Sequence, residues 1–329
     1  MIARVAESCY WLYRYVERVE SISRLLRVNR SFALDAGMPN IERYRPLIIV
    51  AGEEANFDTL LGPEAAESGH RVHHFLVWDE ACPVSILSSM RQARENARTI
   101  REVISVDMWE SLNGFWHWLR QGEGRQRYAS NADDFYRWVR DWPHEFYGIA
   151  LSTLYRDEAF DYMQLGLHLE RAGQTARLMD VKHHMLSPTA DSPTQRPLEA
   201  AVSLELLHGC SAYEAYRRHS SKLSGTGVLD FLLLEPAFPR SVVHNLERAW
   251  TILHRLKGFG ASQEAEPNPF RLIEDLRDHV IAQRGVSLDR DRLHTELTNI
   301  VNGIAAIGSA IEARYFARVT PDHDLPART

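Results

Sequence analysis

Apolar residues recur at steps of three and four along almost the whole chain, which is the spacing of one buried face of an α-helix. The first stretch sets the pattern, with apolar side chains at Val5, Cys9, Leu12, Val16, Val19 and Leu26. The alternation of a half-buried strand is scarce, and its best candidates, residues 47–51 and 74–78, are kept as alternatives to helix. The periodicity therefore predicts an all-α fold, a bundle of long helices.

Clusters of Gly, Pro and Ser divide this periodic pattern into separate predicted helices. These cover residues 3–36, 84–106, 107–121, 131–155, 158–186, 196–222, 239–258, 269–284 and 288–317. Residues 187–197, rich in Pro, Ser and Thr, are the predicted connection between two related halves, 1–156 and 157–317. Residues 318–329 are predicted to form a flexible tail.

Composition narrows the functional classes. The 329 residues are 45% hydrophobic and 25% charged, and their net charge of −6 disfavours nucleic acid as a partner. Three widely spaced cysteines indicate neither disulfides nor a zinc site. The charged N-terminal segment lacks a secretory signal, and no stretch is apolar for the roughly 20 residues of a membrane span. We therefore expect a soluble, cytoplasmic protein with no membrane segment.

One segment of the chain occurs twice. Residues 17–28 read ERVESISRLLRV, and residues 170–181 read ERAGQTARLMDV. A period this long is not that of a solenoid repeat, so it predicts two related helices that meet in a pseudo-duplicated bundle. On a helical wheel Arg18 and Arg171 fall within apolar arcs, so each guanidinium must be paired inside the protein or face a cavity.

Three interpretations of the duplicated charges stay open. In the first, Glu17 with Arg18, and Glu170 with Arg171, form structural ion pairs that fix the register of the helices. In the second, the two copies face each other and line a polar cavity that binds a charged ligand. In the third, they form a surface for a partner protein.

A second charge pattern is a stripe of arginines at steps of three, four and three on one helix face: Arg91, Arg94, Arg98 and Arg101. Like charges at this spacing repel one another, so the stripe requires acidic partners or an anionic ligand. Either it meets Glu17, Glu20 and Glu170 of the duplicated helices in one central Glu/Arg network, or it binds a phosphate or carboxylate.

Familiar catalytic and cofactor motifs are missing from the sequence. Only one Glu-x-x-His pair, Glu205 with His208, lies on a predicted helix, whereas a di-iron bundle needs two. There is no GxxxxGK[ST] loop, no GxGxxG loop between a strand and a helix, and no GxSxG elbow. We predict no metal and no cofactor. Cys9 is expected to be an inert core thiol, and the following are expected to be packing anchors: Trp116, Trp118, Trp138 and Trp142.

Five motifs are spread along the chain in a specific order. They are AESCYWLYRYVERVE at 6–20, RQARENARTIRE at 91–102, LGLHLERAGQTARL at 165–178, FPRSV at 238–242 and EARYF at 312–316. Together they resemble the bacterial alpha-E family over residues 1–317. The resemblance carries the family's characteristic charges over to Glu17, Arg18, Arg24, Arg94, Glu95, Arg98, Glu170, Arg171, Arg177 and Arg240. The sequence departs from the common pattern at Leu167, His168 and Gly173, which leaves its second copy less acidic.

The resemblance also implies a function. Genes of this family typically accompany those of a circularly permuted ATP-grasp protein, often with a transglutaminase-like protease or an amidohydrolase. The hypothesis is a non-ATP-binding partner in an amide-ligase system that binds an acidic or peptide-like small molecule. Its substrate-binding residues would be Arg18, Arg24, Arg94, Arg98, Arg171, Arg177 and Arg240. One alternative is a stand-alone enzyme with Glu17 or Glu170 as general base, and another is a structural scaffold.

Overall fold

A computed structural model describes residues 1–32, 39–182, 195–256, 267–284 and 290–316. The predicted connection at 187–197 lies largely outside these residues, and the predicted tail at 318–329 lies wholly outside them. Within the described part of the chain there are helices and no strands, which confirms the all-α prediction. No helix in this part combines the length and the apolar character needed to cross a bilayer.

The first half of the chain contains eight α-helices in its described residues. They are α1 (Ala3–Phe32), α2 (Asn40–Ala51), α3 (Glu54–Leu61), α4 (Gly69–Trp78), α5 (Ile86–Thr99), α6 (Val106–Arg120), α7 (Glu123–Ser130) and α8 (Ala132–Thr153). A 3₁₀ helix, Pro63–Glu67, lies between α3 and α4.

The second half contains seven α-helices in its described residues. They are α9 (Glu158–Lys182), α10 (Gln195–Gly209), α11 (Tyr213–His219), α12 (Gly225–Leu234), α13 (Val242–Leu256), α14 (Pro269–Ala282) and α15 (Arg290–Ile311). A π-helical turn, Glu312–Phe316, follows α15 directly.

Several predicted elements are wrong. Residues 47–51 and 74–78 lie in α2 and α4, so neither is a strand, and α2 accommodates Pro46 in its interior. The predicted helix at 196–222 is two helices, because Ser211 adopts a left-handed backbone (φ 50°) that ends α10. The amide of Ala212 there donates to the carbonyl of Leu207, 2.7 Å away. Sequence periodicity also missed α3, α7 and α12, which are short.

The two helices with the duplicated sequence form the centre of the fold. Helix α1 packs against α5, α8 and α9, and α9 packs against α13 and α15 as well as α1. Gly166 marks the closest approach of the central pair, since a Cβ atom there would lie 2.2 Å from the carbonyl oxygen of Tyr10. A glycine at this position therefore lets the two backbones touch, which brings the charged turns of both helices into contact.

A second correspondence between the halves is visible only in the structure. Helices α4 and α12 have ten residues each, and Ser68 and Ser224 cap their N-termini with the side-chain oxygen. The turns that follow have matching hydrogen bonds: the amide of Ser85 donates to Cys82, and that of Ser241 donates to Phe238. A copied segment would keep its turn and cap geometry in this way, and the internal duplication stays a prediction.

Candidate functional site

The duplicated glutamates and arginines form two crossed ion pairs between α1 and α9. Arg18 donates through Nε to Oε1 of Glu170 (2.7 Å) and through Nη2 to Oε2 (3.0 Å). Arg171 donates in the same way to Glu17, with both distances 2.8 Å. The relative exposure of Glu17 is 0% and that of Glu170 is 2%. We call these two bidentate pairs the crossed pairs.

This arrangement corrects one of the interpretations of the sequence. Glu17 does not pair with Arg18, nor Glu170 with Arg171, because adjacent residues project about 100° apart around a helix. Each glutamate is instead paired with the arginine of the other copy. The ion pairs therefore hold α1 and α9 together.

Around Glu17 further partners complete the carboxylate's hydrogen bonds. Arg240, in the turn before α13, donates Nη1 to Oε1 of Glu17 at 3.0 Å, and the Tyr147 hydroxyl donates to Oε2 at 3.2 Å. Arg240 also pairs with the fully buried Glu20 (3.1 Å). Glu20 forms a second ion pair with Arg24. Thus Arg24 and Arg240, both predicted to bind substrate, neutralise an acidic turn of α1.

Around Glu170 the additional partners come from its own helix and from α1. Arg14 donates Nε to Oε2 of Glu170 at 2.9 Å, and Gln174 donates to Oε1 at 3.2 Å. The Arg14 guanidinium also lies 4.7 Å from the ring centroid of Trp11. Like Glu17, Glu170 has both oxygens occupied by guanidinium donors.

The arginines control the ionisation of both glutamates. Burial opposes the ionised form, but Arg171 and Arg240 outweigh it and hold the pKa of Glu17 well below its usual range. Arg18 and Arg14 lower the pKa of Glu170 in the same way. Both glutamates are therefore ionised at neutral pH and, with such low pKa values, are weak bases.

The cluster carries more positive than negative charge. Within the described residues, three buried carboxylates (Glu17, Glu20 and Glu170) are surrounded by six guanidinium groups, namely Arg14, Arg18, Arg24, Arg171, Arg177 and Arg240. Glu312 lies close enough to influence Tyr10 and Tyr15 but contributes no ion pair to these arginines. The surplus is positive at the centre of a chain whose net charge is −6.

Among the six guanidinium groups of the cluster, that of Arg177 has no acidic hydrogen-bond partner in the described chain. Its side chain is half-buried, and this burial lowers its pKa. The nearby guanidinium groups of Arg18 and Arg14 lower the pKa further, whereas the Glu170 carboxylate raises it. A guanidinium kept beside two others, without a hydrogen bond to a carboxylate, provides free N–H donors for an anion.

The arginine stripe of α5 lies apart from the crossed pairs, so the expectation that it meets Glu17, Glu20 and Glu170 is wrong. Arg94 donates to Asn113 (2.8 Å), and both Arg94 and Arg98 pair with the neighbouring Glu95 (3.2 and 2.7 Å). The face of α5 that is buried consists of small and apolar side chains, including Met90, Ala93 and Ala97. The structure thus places Arg94 and Arg98 away from the other predicted substrate-binding residues.

Sequence reasoning missed two members of the cluster. Arg14 lies one helical turn before Arg18 on the same face, so the spacing of four could have found it. Tyr147 comes from α8, and nothing in its local sequence marks it. His168, noted as a departure from the family pattern, bonds through Nδ1 to Asn245 Oδ1 at 2.9 Å, and burial lowers its pKa to about 4.

Comparison with known proteins identifies the family of this chain. A family model named Alpha-E, described as a predicted alpha-helical domain with a conserved ER motif, matches residues 1–316. The chain belongs to the Alpha-E family. In this Alpha-E domain, Glu-Arg dipeptides at residues 17–18 and 170–171 supply all four members of the crossed pairs.

Relatives of this Alpha-E chain include uncharacterized protein Mb2597 of Mycobacterium bovis and uncharacterized proteins MT2643 and Rv2567 of Mycobacterium tuberculosis. Each is 24% identical over 322 residues, an alignment that covers 92% of this chain and 35% of the relative. The chain therefore spans about a third of the length of these relatives. No solved structure matches it.

The buried glutamates are expected to make the protein labile to acid. An unperturbed Glu titrates at 4.5, and both Glu17 and Glu170 have lower pKa values in the fold. Their stabilisation is therefore fully present above about pH 4.5 and is lost as the pH falls below this value. In thermal unfolding experiments below about pH 4.5, the Tm of the wild type should fall steeply as the pH is lowered. The Tm of the double variant Glu17→Gln/Glu170→Gln should fall less steeply. Parallel Tm curves would contradict this assignment.

Proposed function

We propose that this Alpha-E chain is the non-ATP-binding partner in an ATP-grasp-associated amide-ligase system, in which it binds an acidic or peptide-like substrate. The observation that carries the proposal is the positive surplus of the central cluster, with Arg177 beside Arg14 and Arg18. A buried surplus of guanidinium groups is costly in a protein unless an anion neutralises it. A substrate carboxylate is such an anion.

The crossed pairs leave donors available for this carboxylate. Arg18 uses Nε and Nη2 to hold Glu170, and Arg14 uses Nε for Glu170 and Nη1 for Tyr10. The remaining N–H groups of both arginines, together with Arg177, can bind an acid without breaking an ion pair. The side chains of Arg14 and Arg18 are 15% and 14% exposed, so they lie at the edge of the buried cluster.

The same geometry favours binding over catalysis by the glutamates. A general base works best when its pKa lies near the operating pH and its oxygen can reach the substrate proton. Both oxygens of Glu17 and Glu170 accept hydrogen bonds from arginines, and both pKa values are lowered. Their role in this proposal is to hold the arginines in place.

Support for the ligase partner comes from the resemblance to the alpha-E family, whose genes accompany those of ATP-grasp proteins and, often, of a transglutaminase-like protease. The length of the mycobacterial relatives agrees with a role as one component of a larger system. About two thirds of each relative lies outside the matched region, so in those proteins this domain is joined to other sequence.

A binding experiment with a matched control tests the proposed acid site. We expect the capped dipeptide acetyl-Glu-Glu amide to bind the purified chain in calorimetry and its uncharged counterpart acetyl-Gln-Gln amide not to bind. Arg177→Gln should weaken the affinity for the Glu-Glu dipeptide about tenfold, because one charge-assisted contact is lost. Arg98→Gln, in the exposed part of the stripe, should leave the affinity unchanged. Equal binding of both dipeptides, or no effect of Arg177→Gln, would refute the site.

A second experiment tests the partnership itself. Affinity purification of the tagged chain from its own cells, followed by mass spectrometry, should recover a circularly permuted ATP-grasp protein. Recovery should be lost when the exposed stripe residues Arg91 and Arg98 are changed to Glu in a variant that still folds. If no ATP-grasp protein is recovered and a stoichiometric acidic metabolite remains bound, a stand-alone binding protein or enzyme is the better description.

A further inference from the structure

Helices α6 and α8 form the walls of a half-open cavity of about 340 Å³ that is separate from the crossed pairs. Its lining residues recur at helical spacing on both sides, at 110, 114 and 118 of α6 and at 138, 141 and 145 of α8. Four aromatic side chains contribute to the wall: Phe115, Trp118, Trp138 and Trp142. The volume is within the usual range of small-molecule sites, which begins at roughly 300 Å³.

The aromatic wall is held in place by its own contacts. Phe115 and Trp142 are stacked with ring centroids 4.3 Å apart, and Trp142 Nε1 donates to Ser111 Oγ at 3.1 Å. Trp118 lies 6.1 Å from Trp138. Trp138 is 47% exposed, so it is not the packing anchor that its sequence predicts. The site is thus preorganised, with one large ring kept at the surface.

Carboxylates line the same cavity. Asp141 is paired with Arg140 at 2.6 Å, but Glu110 and Glu145 form no ion pair or hydrogen bond with another side chain in the described part of the chain. Unneutralised carboxylates beside tryptophan rings attract a cation through both its charge and the ring quadrupole. The Trp138 ring already contacts one cation of the chain, the Arg127 guanidinium, which lies 4.6 Å from the ring centroid and is paired with Asp134 outside the cavity.

We propose that this cavity binds an organic cation, an ammonium or guanidinium group on an aliphatic stem. The stem packs against the tryptophan rings, and the charge is neutralised by Glu110 and Glu145. This site is independent of the proposed function, because the central cluster selects an anion and lies on α1 and α9. The cation is either a small free molecule or a basic side chain within a peptide.

Titration with defined probes distinguishes these two sources. n-Butylammonium represents a free cation on an aliphatic stem, and acetyl-Gly-Lys-Gly amide represents a basic side chain in a peptide. Acetyl-Gly-norleucine-Gly amide has a similar stem without the charge. We expect a saturable change in tryptophan fluorescence with at least one charged probe in the millimolar range, and none with the norleucine peptide.

Variants without the negative charges test which carboxylates bind the cation. Glu110→Gln/Glu145→Gln should weaken the charged probe about tenfold or more. Glu214→Gln, an exposed acid on α11 outside the cavity, should have no effect. Binding of the norleucine peptide as tight as that of the lysine peptide, or unchanged binding by the double variant, would overturn the proposal.

A steric variant provides an answer that does not depend on charge. Gly114 lines the cavity, and a Cβ atom there would have no neighbour within 4 Å. Gly114→Leu should therefore fill the cavity and abolish binding while the helix stays folded. Gly148→Leu is the matched control, since Gly148 of α8 is exposed and equally unobstructed but does not line the cavity. Retained binding by Gly114→Leu would also overturn the proposal.

Discussion

Replacing Glu17 with Ala is expected to lower the free energy of unfolding by about 3–5 kcal/mol, the usual cost of removing one partner from a buried ion pair. The loss leaves the buried Arg171 charge without its carboxylate, takes from Arg240 one of its two carboxylate partners, and removes the acceptor of the Tyr147 hydroxyl. Urea denaturation followed by circular dichroism measures the effect. Glu42→Ala is the matched control, because Glu42-Arg43 is also a Glu-Arg dipeptide but Glu42 is exposed.

A second variant keeps this prediction testable if Glu17→Ala does not fold. Glu17→Leu/Arg171→Met replaces one crossed pair with apolar side chains of similar size and should be more stable than Glu17→Ala, because fewer charges are left unpaired. If Glu17→Ala were as stable as the wild type and lost only its proposed activity with the ATP-grasp partner, the structural role of the crossed pairs would be refuted. The general-base alternative would then gain support.

Gly166→Ala is expected to destabilise the protein by about 3 kcal/mol, the upper end of the range for overpacking a core. The new Cβ atom would lie 2.2 Å from the carbonyl oxygen of Tyr10, and backbone cannot move aside as a side-chain end can. Helices α1 and α9 must therefore separate, which also lengthens the crossed pairs. The free energy of unfolding from chemical denaturation measures this effect.

Gly173→Ala on the same helix is the control for that prediction. Its Cβ atom would meet Ile304 Cγ2 at 3.7 Å, an ordinary van der Waals contact. We expect this substitution to be neutral, or to stabilise by up to about 1 kcal/mol, because alanine favours helix more than glycine does. If the two alanine variants had equal stability, the close approach at Gly166 would not be what limits the packing of α1 on α9.

The helical fold and the two central helices could be predicted from sequence because both depend on local patterns. Apolar spacing identifies a helix wherever the helix is long, as in α1 and α9. It fails for α2 and α4, where Pro46 and neighbouring glycines interrupt short segments and a strand would give a similar apolar run. Tertiary packing decides these segments, since short helices are marginal without it.

The members of the site were predictable, but their pairing was not. Glu17, Arg18, Glu170 and Arg171 stand out in the sequence because they are duplicated. Which glutamate meets which arginine depends on how α1 crosses α9, and no local pattern contains that information. The contribution of Arg240 depends in the same way on the turn before α13.

The position of α1 has a consequence for synthesis. The central helix α1 is synthesised well before its partners, because its carboxylates at 17 and 20 are paired with residues 171 and 240. During translation of the first half, these groups must stay hydrated, because burial without a counter-ion is unfavourable. The central helix can therefore take its final place only after residue 240 has been made, so folding is governed by contacts of large sequence separation.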